Sequence, residues 1–218
     1  SISLRNLPEG TYQVFVDGNQ QQQTVTSDGK TATLTLADLS QAANTIKIAK
    51  TTPKVSAAVT GSEPNEAGWR SGPASVTLAL NEGAQARIQY RLNDGDWNDY
   101  TGKLELGDGE HVLEYRASAN GSPVENSGGV ETIRVDAVGP TVKLVGGSSA
   151  DYTFGNEPSA PTCEADDFTS GLVSCVVTGG GATVGEHTYT ATATDNAGNV
   201  STADLKYKVL PWELRGFL

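Results

Sequence analysis

Gly109-Glu110-His111-Val112-Leu113-Glu114-Tyr115 decides the fold, because the same phrase occurs twice more. Gly10-Thr11-Tyr12-Gln13-Val14 precedes it, and Gly185-Glu186-His187-Thr188-Tyr189 follows it. Each copy is a glycine, one free position, and then an aromatic ring or a histidine that opens an alternating run. Glycine allows a turn that other residues resist. Alternation with period two is the pattern of a strand with two different faces. A strand opening that recurs at domain-sized spacing predicts small β modules in series rather than one enzyme core.

Working outward from the repeats, residues 1–52 predict a small β-sandwich with strands near 1–6, 11–17, 20–27, 31–37 and 44–50. Asp17-Gly18 and Asp28-Gly29 supply its hairpin turns. This module is either minimal or the tail of a domain cut at Ser1. Residues 53–138 predict a second module, with strands near 54–60, 75–81, 86–93, 97–106, 111–119 and 130–136. Residues 139–210 predict a third, with strands near 141–146, 160–166, 172–178, 185–195 and 201–209. Pro53 and Gly139-Pro140 mark the joints. In the third module Thr188, Thr190, Thr192 and Thr194 form a ladder expected to face solvent, with His187, Tyr189, Ala191 and Ala193 on the other side. No window carries clean helical periodicity. The expected fold is all-β, a tandem of three small Ig-like antiparallel β-sandwiches, and residues 211–218 read as a linker toward a missing C-terminal domain.

Composition agrees and narrows the partners. Gly numbers 25 and Pro 9 in 218 residues, as short strands joined by turns require. The net charge of −11 argues against nucleic acid, whose phosphates need clustered Lys and Arg. No 18-residue apolar run exists, so insertion into a membrane as a helix is not expected. No signal peptide is visible, yet the chain has no Met and begins at Ser1, which suits a processed form or an excised fragment. Cys163 and Cys175 are the only cysteines. On neighbouring strands they predict one disulfide, with two buried free thiols as the alternative. Such a bridge contributes on the order of 3 kcal/mol and implies an oxidising, extracellular setting, secreted or associated with a cell wall.

The second module resembles the OmpL47-type β repeat of bacterial secreted proteins. The resemblance rests on Tyr90–Gly102, on Asp108-Gly109-Glu110-His111, on Tyr115-Arg116-Ala117, and on Gly68-Trp69 ahead of the strand 75–80. The chain departs from the repeat at 118–122, where an Asp-x-Ala-Gly-Asn turn is usual. The third module carries that turn as Asp195-Asn196-Ala197-Gly198-Asn199 and resembles the Ig-like modules of exported, actinobacterial-type multidomain enzymes. Pro211–Phe217 is similar to the lead-in to a further domain in such proteins. The resemblance implies spacers or surface-binding units that follow a catalytic domain, often a glycoside hydrolase.

Each chemically suggestive residue has a structural counterpart. His111 and His187 occupy the position that Tyr12 holds in the first repeat, so all three predict a structural corner of the tyrosine-corner kind. No HExxH or Gly-x-Ser-x-Gly motif accompanies them. Asp94, Asp96, Asp166, Asp167 and Asp195 lie in oxygen-rich turns that suit calcium, although Asp and Asn favour turns for backbone reasons alone. Trp69, Trp97 and Tyr100 are the candidate sugar platforms. Trp97 and Tyr100 belong to the fold signature, which predicts that they cover the small core instead.

The expectation is therefore a non-catalytic accessory region with no cofactor beyond calcium. It would act as spacer and docking arm in a secreted or cell-surface bacterial multidomain protein, with a carbohydrate-active enzyme as parent. Its partners would be the other domains of the parent chain and cell-wall or polysaccharide glycans. The alternatives are a carbohydrate-binding module centred on the second module and an adhesion module for a protein partner.

Overall fold

The computed structural model describes residues 1–36, 44–81, 86–119 and 121–212. The linker reading of 211–218 falls mostly outside them, at 213–218. All regular structure among the described residues is β. Residue contacts divide the chain into two compact units. The first comprises Ser1–Val59, Val76–Leu104 and Val112–Thr132, and the second Thr60–Ser75, Glu105–His111 and Ile133–Leu218.

The N-terminal stretch contributes β1 (Ile2–Arg5), β2 (Gly10–Val16), β3 (Asn19–Ser27), β4 (Thr31–Leu34) and β5 (Ile46–Lys50). β1 pairs antiparallel with β4, and a second sheet runs β3-β2-β5. The inward residues of each strand alternate with outward polar ones, and Val14, Val25, Ala32 and Leu34 close into one core. Leu4, Leu7, Leu36, Ile46 and Ile48 pack around it.

The middle stretch contributes β6 (Val55–Gly61), β7 (Trp69–Arg70), β8 (Ala74–Leu80), β9 (Arg87–Leu92), β10 (Asn98–Asp99), β11 (Leu104–Leu106), β12 (Gly109–Ala119), β13 (Ser122–Pro123) and β14 (Gly129–Val135). One sheet runs β11-β8-β6. The other runs β10-β9-β12-β14-β7, with β13 on β12. The single strand expected over 97–106 is two, because β10 joins β9 and β11 joins β8. Strand parity fixes the faces. Leu113, Tyr115 and Ala117 of β12 are buried, so Glu114 and Arg116 point the other way, beside Gln89 and Arg91 of β9.

The C-terminal stretch contributes β15 (Thr141–Val145), β16 (Asp151–Thr153), β17 (Thr162–Asp166), β18 (Leu172–Gly179), β19 (Gly185–Asp195) and β20 (Val200–Leu210). β15 pairs with β17, and a four-stranded sheet runs β16-β20-β19-β18. Ala191 and Ala193 are fully buried between them with Tyr207 and Val209. The threonine ladder on the opposite face of β19 is half-buried rather than open to solvent. Short β16, parallel to the end of β20, was not expected from the sequence. These sheets, antiparallel except for the short edge strands β7 on β14 and β16 on β20, make Ig-like sandwiches.

Candidate functional site

The three repeated glycines share one backbone conformation. Their φ angles are 146° at Gly10, 129° at Gly109 and 141° at Gly185, a region essentially restricted to glycine. The residue two places on then reaches back to the carbonyl four residues before it. The Tyr12 hydroxyl donates to Pro8 O at 2.8 Å, His111 Nε2 lies 2.8 Å from Gly107 O, and His187 Nε2 lies 2.5 Å from Thr183 O. A carbonyl only accepts, so each Nε2 carries the proton. Both imidazoles are thus tied to the backbone, a poor arrangement for shuttling protons.

Cys163 of β17 and Cys175 of β18 form a disulfide, with a Cα–Cα distance of 5.7 Å. It joins the β15-β17 sheet to the four-stranded sheet β16-β20-β19-β18.

Three carboxylates converge within the second unit. Oxygens of Asp136, Asp167 and Asp195 lie within 4.8 Å of one another. Asp136 and Asp195 are buried, at 0% and 2% exposure. Asp136 accepts from Val138 N and Ser170 N, at 3.2 and 3.1 Å. Asp167 Oδ1 accepts from the backbone of Thr169, Ser170 and Gly171. Asp195 accepts from the backbone and side-chain nitrogens of Asn199, and the same Asn199 Nδ2 donates 2.8 Å to Asp136 O. Each carboxylate orders a loop, and together they tie residues 136–138 to the loops at 167–171 and 195–199, all within the second unit. Asp167 and Asp195 were calcium candidates on sequence grounds, whereas Asp136 was not. Of the other candidates, Asp94 pairs with Arg91 at 3.9 Å, and Asp96 and Asp166 are exposed. Inward parity along β19 could have marked Asp195 as buried. Parity from Ile133 and Val135 instead points Asp136 outward, and only the folded-over loop covers it.

The aromatic candidates separate. Tyr100 accepts from Leu78 N at 3.1 Å and meets Tyr90 edge-on at 6.3 Å, on the core side. Trp69 belongs to β7 in the second unit. Trp97 does not cover the core. Its ring lies against the outward guanidiniums of the β9–β12 pair, with Arg116 3.7 Å and Arg91 5.2 Å from its centre. Its polar neighbours form a chain. Arg116 donates twice to Gln89 Oε1, Gln89 donates to Asp99, and Arg87 meets Asp99 at 3.0 Å. Arg91 meets Glu114 at 2.7 Å, and that hydrogen bond holds the guanidinium above its ordinary pKa.

These features define an all-β chain built from Ig-like antiparallel sandwiches. No protein-family model matches it, and no curated protein matches it. Among solved structures, the fibronectin(III)-like modules of Clostridium thermocellum CbhA match with 16% identity and a TM-score of 0.35. That match covers 75% of this chain and 100% of the other.

Proposed function

We propose that the chain is a non-catalytic spacer and docking arm of a secreted or cell-surface bacterial multidomain protein, a carbohydrate-active enzyme by its sequence resemblance. The observation that carries this reading is the knot around Asp136. A spacer transmits position only if its joints resist bending, and the approach to Gly139-Pro140 is held by the side chains of Asp136 and Asn199 and by the backbone N–H of Ser170. The disulfide supports an oxidising, extracellular setting. Backbone relaxation of residues 136–140 tests the proposal. Order parameters near those of the strands, about 0.85, are expected, and values below about 0.6 would overturn it.

Calcium is part of the proposal at this joint only. Asp136, Asp167 and Asp195 would supply carboxylate oxygens, and the ion takes six to eight oxygens in all. A higher melting temperature in calcium than in chelator supports the ion, and identical melting curves remove it. Carbohydrate binding by the middle region is the second reading, favoured by the outward placement of Trp97.

A further inference from the structure

Residues 168–185 form the longest stretch of the chain without a charged side chain, in a molecule whose net charge is −11. They span the loop ahead of β18, β18 itself and the turn toward β19. Large apolar side chains stand exposed along it: Phe168, at 92%, with Leu172, Val173, Val176 and Val184. β18 ends the four-stranded sheet and pairs with β19 alone. None of its residues is buried. An edge strand presents unpaired backbone donors and acceptors to any other chain, and proteins blunt such edges with charge, proline or brevity. The opposite edge of the same sheet is blunted, because β16 has 3 residues and begins at the exposed Asp151. β18 has 8 residues, no charge and no proline. A bulge interrupts its register at Val173, and the pairing then runs unbroken over Ser174–Gly179.

We propose that β18 is a self-association edge, where β18 of two copies pairs antiparallel about a two-fold axis at Val176 and joins their four-stranded sheets into one. The inference goes beyond the spacer reading and does not rest on it. Charge selects the occupant. Two copies at −11 repel each other, and this stretch is where they can meet without setting acid against acid. A basic partner would find no carboxylate on it. Strand addition supplies backbone hydrogen bonds, and the apolar side chains beside the edge supply burial. The two-fold sets Val176 against its own copy and Ser174 against Thr178 of the partner subunit. It also brings Phe168 toward Val184 of the partner subunit, so that two exposed side chains cover each other.

Sedimentation velocity of the full chain from about 1 μM to about 1 mM tests the edge. A reversible dimer is expected, and it should tighten as salt rises, because screening weakens the repulsion and no ion pair is lost. Val176→Lys sets two ammonium groups against each other at the two-fold and should weaken the dimer about tenfold or more. Phe168→Ser removes a side chain too exposed to hold the fold. It should weaken the dimer too, and it decides the matter alone if Val176→Lys unfolds. Val130→Lys, on the exposed face of β14, should change nothing. Amide exchange locates the contact, since residues 174–179 should slow as protein concentration rises. A monomer at every concentration, a dimer that both β18-side variants leave intact, a dimer that loosens with salt, or protection gained elsewhere than at β18 would each overturn the proposal.

Discussion

A glycine can be retained for the space it leaves or for the angle it permits, and Gly185 separates the two. A methyl group built on it meets nothing within 4 Å, so crowding is absent and only its φ of 141° resists substitution. Gly185→Ala should therefore destabilise the chain by about 1–3 kcal/mol, measured by denaturant unfolding. An unchanged midpoint would mean that the backbone relaxes and that the corner at His187 does not depend on this angle. By contrast, Gly10→Ala would also press on Lys50 Cε at 2.7 Å and confound the reading. The repeat was legible in the sequence because the same angle forces the same residue type three times. Asp136 was not legible, because a loop far along the chain buries it and strand parity carries no record of that loop. Trp97 was misplaced for a related reason: its motif specifies a turn, while its packing depends on arginines from two other strands.

At the scale of elements, the turn at Asp28-Gly29 is not the expected hairpin but carries the chain from β3 in one sheet to β4 in the other, and it gives a pH-dependent prediction. The Asp28 carboxylate accepts from Thr31 N at 3.0 Å and Lys30 N at 2.9 Å, and these bonds lower its pKa from the ordinary 3.8. The folded state then binds a proton less readily than the unfolded one. Asp28 contributes stability above the unfolded value, and this is lost as pH falls through the lower folded value. The wild-type advantage over Asp28→Asn should be greatest at neutral pH and shrink as pH falls below the ordinary 3.8. An advantage independent of pH would assign the effect to shape and neutral hydrogen bonding. Asp-Gly turns of this kind are plain in sequence, as are long strands such as β12 and β19 with clean alternation. The region 97–106 is harder. Its chain leaves one sheet at Asp99 and enters another at Leu104, and local alternation does not distinguish a sheet change from continuation.

At the scale of the whole molecule, the question is where the chain yields. A Pro-marked joint predicts cleavage near Pro140, as linkers between compact domains usually allow. The folded joint argues otherwise, because proteolysis needs an extended, accessible backbone, and this one is pinned. Asn199 Nδ2 reaches Asp136 O, Val138 O and the Asp195 carboxylate together. Wild-type chain should resist limited proteolysis at 136–140, and Asn199→Ala should open that stretch while the disulfide-linked sandwich stays intact. Asn199→Ala should also lower the melting temperature of the chain, because it takes a donor from the buried Asp195 carboxylate at the β19–β20 turn, so the cleavage rate at 136–140 is compared below that melting transition. Rapid cleavage of the wild type at 136–140 would show that the carboxylate knot does not hold. The arm would then bend at Gly139-Pro140, and the spacer reading would lose its mechanical basis.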